Sequence, residues 1–170
     1  MVSTRRILVP LAVGLFAMSG AVHANPVYKA SMDGKQMLPE PIQTDASGAV
    51  EFAVSADGKS IAYKLSVVRL TNASAADVHL GPPSQNGPVI ARLYPSGKAG
   101  KQGEFSGVLA EGRLTGADLI GPLAGAGLAD LLAELAAGNV YVNVHTNDGV
   151  EPANSGPGDF RLGEIRGQLK

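Results

Sequence analysis

Two histidines and an aspartate carry the most specific chemistry in this chain. Asp77 and His79 stand two residues apart in Asp77-Val78-His79-Leu80. Side chains so spaced on a strand share one face, with their roots roughly 7 Å apart. His145 lies much further along, in Val140-Tyr141-Val142-Asn143-Val144-His145. The three valines take one parity there, suited to a core, and Tyr141, Asn143 and His145 take the other. By the same alternation Val78 and Leu80 point inward while Asp77 and His79 point outward. Two imidazoles with a carboxylate suit zinc, copper or nickel. The same residues also describe an ordinary solvated sheet face. The choice turns on which strands are neighbours, and spacing alone does not say.

Other polar residues point to less. In Glu164-Ile165-Arg166-Gly167-Gln168-Leu169, Ile165 and Leu169 go inward, and Glu164, Arg166 and Gln168 go outward. Glu164 and Arg166 are expected to form a cross-strand or loop-holding ion pair. Asp148, Glu151 and Asp159 fall in a loop rich in Gly, Pro and Asn that runs to Leu162. They could add a ligand or a calcium site, but their spacing is not that of an EF-hand loop, so a solvated loop is the expectation. Ser84 sits in a Gly/Pro turn without the G-x-S-x-G elbow of a hydrolase nucleophile. No phosphate-binding loop or dinucleotide fingerprint occurs.

Composition narrows the classes further. The chain has 170 residues, about one domain's worth. Its 14 Lys+Arg against 15 Asp+Glu give a net charge of −1, with no long-range attraction toward nucleic acid or an anionic membrane. Four Tyr and four Phe are scattered without interleaved basic residues, so base stacking is not supported. Cysteine is absent, which excludes disulfides, thiolate metal sites and Cys nucleophiles. A hydrophobic share of 45% is enough for a core that holds without crosslinks.

The elements that must position these residues are mostly short strands between Gly/Pro/Asn/Asp turns. Strands are expected at Val27 to Met32, Ala49 to Val54, Ile61 to Leu70, Ala75 to Leu80, Pro88 to Tyr94, Glu104 to Leu109, Val140 to Thr146 and Glu164 to Leu169. Asp57-Gly58 signals a hairpin. One stretch, near 116–137, breaks this rhythm. Thr115 and Asp118 fit a capping box, so a helix is expected to start there. Leu128, Leu131, Leu132 and Leu135 then share one helical face, and Gly138 would end it. The pattern is that of an all-β antiparallel sandwich or barrel with one short helical insertion.

Residues 1–24 read as a secretory signal peptide. Arg5 and Arg6 form the positive region, Ile7 to Met18 the apolar run, and Val22-His23-Ala24 the cleavage point before Asn25. The run is shorter than the ~20 residues a membrane span needs. Export by the Sec route fits better than the twin-arginine route. Residues 25–170 are expected to form a single domain, periplasmic or extracellular, with no membrane span after cleavage. His79 and His145 are the histidines that remain.

Three blocks together resemble the CHRD (chordin) domain family. They are Ala76 to Ile90, with Asp77-Val78-His79-Leu80-Gly81-Pro82-Pro83; Ala137 to Thr146, with Asn139-Val140-Tyr141-Val142-Asn143-Val144-His145; and Gly163 to Leu169. The resemblance spans nearly the whole chain after the signal. It implies an immunoglobulin-like β-sandwich or barrel with a faint likeness to copper/zinc superoxide dismutase. It also implies a stand-alone exported protein of bacterial type. Family members commonly read His-x-His-x-Gly where this chain has Asp77-Val78-His79-Leu80-Gly81. Losing the first imidazole weakens a copper site, and two histidines cannot build a dismutase's pair of metals. The expected function is a binding or structural module, non-enzymatic, with a weak divalent metal site at Asp77, His79 and His145 for copper or zinc. The alternatives are a metal-dependent periplasmic enzyme, or an adhesion module using the same face toward a protein or glycan partner.

Overall fold

The hairpin at Asp57-Gly58 shows how the chain builds its sheet. Val50, Phe52 and Val54 alternate inward on β2 (Ser47–Val54), and all three are buried. Gly58 takes the positive φ, +66°, that the turn requires. Asp57 braces the turn by accepting from the Ser55 hydroxyl and the Lys59 N–H. β3 (Ile61–Leu80) then returns antiparallel, from Val54↔Ile61 to Ser47↔Val68.

The computed structural model describes residues 25–95 and 101–170. The expected signal peptide, residues 1–24, lies outside the described residues. β1 (Val27–Asp33) precedes β2. After β3 come β4 (Val89–Tyr94), β5 (Lys101–Leu114), the helix α1 (Leu128–Ala136), β6 (Val140–Thr146) and β7 (Ile165–Gln168). All pairings are antiparallel. β2 pairs with β1, β1 with β7, β7 with β6, and β6 with β3, which pairs back onto β2. The circuit closes, so this is an all-β barrel with one short helix.

Closure depends on β3, which is one strand of 20 residues where the sequence suggests two. Its first part, to Val68, pairs with β2, and its last part, from Ala73, pairs with β6. Between them the strand bends instead of stopping. Arg69 and Asn72 adopt positive φ, 51° and 54°, and the register against β5 slips on both sides of Leu70-Thr71. Bulges of this kind turn a strand from one layer into the next. Thr71-Asn72, which follows Leu70 at this bend, reads as the start of a break between two strands for that reason.

The insertion differs from expectation at its start. Thr115 and Asp118 do form a capping box, but it opens a single 3-10 turn at Gly116–Asp118. The α-helix begins at Leu128, with Asp130 accepting from the Gly127 N–H. Leu128, Leu131 and Leu135 are its buried face. It ends in a Schellman motif: Gly138, at φ +74°, donates to Leu135 O, and Asn139 donates to Glu134 O. No helix among the described residues is long and apolar enough to cross a membrane.

Candidate metal site

β6 is central and buried on both faces. Val140, Val142 and Val144 enter the barrel core as expected. Tyr141 and Asn143 on the other face are also buried, which corrects the reading of that face as solvated. Two loops cover it. The 81–88 loop is tied down by Arg166 Nη2, which donates to Pro82 O and Gln85 O, and by Gln168 Nε2, which donates to Gly81 O and Gly138 O. The 147–163 loop is tied down by Glu164 and Thr146. Alternation predicts the direction of a side chain, but not what later segments lay over it.

The pairing of β3 with β6 brings the distant histidines together. His79 lies opposite Tyr141, Asp77 opposite Asn143, and Ala75 opposite His145. A ligand atom from each of Asp77, His79 and His145 falls within 4.8 Å of the others. The two imidazole rings are 6.3 Å apart, centre to centre. Asp77 and His79 are each 8% exposed.

Both rings are held in the same tautomer. His79 Nδ1 lies 2.9 Å from Gly87 O, and His145 Nδ1 lies 3.0 Å from Arg161 O. A carbonyl oxygen only accepts, so each Nδ1 carries a proton and donates it. Each Nε2 of a neutral ring is then a bare lone pair. Both Nε2 atoms, with Asp77 Oδ1 and Asn143 Oδ1, are buried without a hydrogen-bond partner. His145 Nε2 also stands 3.5 Å from Asp77 Oδ2. Lone pairs converging in a buried place repel unless a cation sits among them. Imidazoles whose Nδ1–H is fixed on a carbonyl, with Nε2 turned inward, are arranged as metal ligands are.

A proton is the competing cation, and burial disfavours it at His79. Desolvation lowers that ring's pKa below the ordinary 6.5. Electrostatic interaction with His145 and with Arg166 acts the same way, and the Gly87 carbonyl and Asp77 oppose. A depressed folded-state pKa means that the unfolded chain takes up the proton first. The stability from neutral His79 is therefore complete above about pH 6.5 and is lost as pH falls through the folded value. Metal-free protein is expected to show a constant urea midpoint above neutrality and a falling one on acidification toward pH 5. A midpoint that rises on acidification would contradict a buried neutral ring.

The remaining candidates do not join this cluster. Glu164 and Arg166 form no ion pair with each other, which corrects that expectation. Glu164 accepts from the Thr44 and Thr146 hydroxyls and the Gly158 N–H. Arg166 lies over the Tyr141 ring, 3.8 Å from its centre. Their side chains serve different loops. Asp159 accepts from Ser155, Glu151 pairs with Arg161, and Asp148 accepts from the Val150 N–H. These three are local braces of the loop. The orienting carbonyls of Gly87 and Arg161 were not readable from sequence, because backbone oxygens leave no residue-type signal. A family model described as the CHRD domain matches residues 28–169. No curated protein matches the chain.

Proposed function

We propose that this chain, which belongs to the CHRD domain family, is an exported binding module that holds one transition-metal ion, zinc or copper. Asp77, His79 and His145 are the ligands, and Asn143 Oδ1 lies alongside as a further oxygen donor. One observation carries this reading: two imidazole Nε2 atoms, each bared by a carbonyl on its Nδ1, meet a carboxylate in a buried place. The donor set of two nitrogens and one or two oxygens fits zinc and copper, and the imidazoles argue against calcium or magnesium. Burial of the site supports holding over turnover, since a catalytic metal keeps an open position. The signal-like residues 1–24 support a periplasmic or extracellular place of action.

Titrating the protein with zinc and copper while following both histidines by NMR tests this directly. His79 and His145 are expected to respond together, at one equivalent. Asp77→Ala should weaken binding by roughly 10–100-fold, and Asp77→His should tighten copper, because imidazole suits copper better than carboxylate. Independent, surface-like titration of the two rings would end the proposal.

A further inference from the structure

Arg166 is a buried cation without a carboxylate. Its side chain is enclosed, 2% exposed, on the same face of the barrel as the ligands. Among the described residues no acid lies within ion-pair distance of it. Nη2 donates to the carbonyls of Pro82 and Gln85, and Nη1 has no partner. The guanidinium carbon lies over the Tyr141 ring, 3.8 Å from its centre, and that ring stacks on His79, 4.8 Å centre to centre and 10° from parallel. Guanidinium, phenol and imidazole thus form one column that ends on a metal ligand. Arginine stays protonated even when burial lowers its pKa, as it does here. Asp77 supplies the one negative charge in the ligand set, and Arg166 offsets it.

Charge accounting then distinguishes ions by valence. An ion of charge +2 in this enclosed place meets the Arg166 charge with twice the repulsion of an ion of charge +1. Resting on the metal-site reading above, we infer that the Arg166–Tyr141 column lowers the site's affinity for Cu(II) more than its affinity for Cu(I), against the opposite pull of the Asp77 carboxylate. Arg166 is a positioning and charge-setting residue in this scheme, not a ligand. Tyr141 keeps the guanidinium in place and excludes water between the cation and His79. The Tyr141 hydroxyl anchors the ring by accepting from the Gly87 N–H at 2.9 Å.

Affinities for the two valences test this. Cu(I) is measured anaerobically against a colorimetric chelator, and Cu(II) against glycine, for the wild type, Arg166→Gln and Arg166→Met. Removing the charge should shift the ratio of affinities toward Cu(II) by roughly tenfold, one unit of charge acting through a partly screened interior. A purely structural role for Arg166 would weaken both valences equally and leave the ratio alone. An unchanged ratio in a folded variant, or one that shifts toward Cu(I), overturns the inference. A wild type that takes up neither copper ion nor zinc defeats the metal site itself, which is a separate result.

Discussion

Replacing Gly87 by alanine is expected to destabilise the protein by about 3 kcal/mol and to loosen the proposed metal site in the same step. A Cβ on Gly87 would fall 1.6 Å from Leu80 O and 2.8 Å from Leu80 C. Both are backbone atoms at the end of β3, and real Cβ contacts stay beyond 3.0 Å. No side chain can swing away to make room, so the 81–88 loop itself has to move. That loop is fixed at many points. Leu80 N donates to Pro88 O, Gly87 N donates to the Tyr141 hydroxyl, and Gly87 O accepts from His79. Moving it breaks several of these at once. Gly156→Ala is the control, because nothing lies within 4 Å of its Cβ position. Thermal denaturation should place Gly87→Ala roughly 10 °C below Gly156→Ala, which should match the wild type. Metal affinity should fall by about 10–100-fold as well, since His79 loses the acceptor that orients it. Equal midpoints for the two alanine variants would mean that the loop is not packed against Leu80 as described.

Much of the barrel is legible in the sequence because its cause is local. Period-two alternation in Val50 to Val54 and Val140 to Val144 records which side chains enter the core, and those residues are buried. Leu128, Leu131 and Leu135 record the helical face in the same way. What is not legible is set by distant parts of the chain. The bend at Arg69 to Asn72 exists because β3 must serve two neighbours, β2 and β6. Residue preferences there resemble those of a break. The helix starts at Leu128, not Thr115, although the capping box is at Thr115 and the N-cap before Leu128 is Gly127, whose N–H donates to Asp130; a cap satisfies a first turn and does not fix how many turns follow.

The candidate site divides along the same line. Asp77, His79 and His145 stand out by residue type and parity, and strand pairing brings them together. Their burial was missed because alternation distinguishes two faces without saying what covers either one. Arg166 illustrates this. Its position on β7 reads as a solvated cation, and a surface cation would contribute little. Covered by the 81–88 loop, the same side chain becomes a fixed charge against Tyr141, the ring that stacks on His79. The missing first imidazole has a similar consequence. Asp77 keeps a donor in place but supplies a negative charge, which attracts a doubly charged ion twice as strongly as a singly charged one.

Glu164→Ala is expected to cost about 3–5 kcal/mol, the largest loss from removing any one polar side chain here. The carboxylate is 1% exposed. Oε1 accepts from the Thr44 hydroxyl at 2.5 Å, and Oε2 accepts from the Thr146 hydroxyl at 2.7 Å and the Gly158 N–H at 2.8 Å. Those donors come from three places: the segment before β2, the end of β6, and the 147–163 loop. The two hydroxyls in turn accept from backbone, Thr44 from the Ala46 N–H and Thr146 from the Phe160 N–H. Removing the carboxylate leaves three donors without an acceptor where little water reaches, and each such group costs about 1–3 kcal/mol. Glu164→Gln should cost less, about 1–2 kcal/mol. Its remaining oxygen can serve Thr146 and Gly158, and its amide can donate to Thr44, whose hydroxyl is free to turn. Urea denaturation should rank wild type, Glu164→Gln and Glu164→Ala in that order. Hydrogen exchange should show where the loss acts, with the amides of Gly158 and Phe160 deprotected well before those of the β2–β3 hairpin. Because the same loop presents Arg161 O to His145, Glu164→Ala should also weaken metal binding without touching a ligand. Uniform deprotection across the barrel would instead mean that Glu164 supports the core as a whole, and that the loop over the site is held by something else.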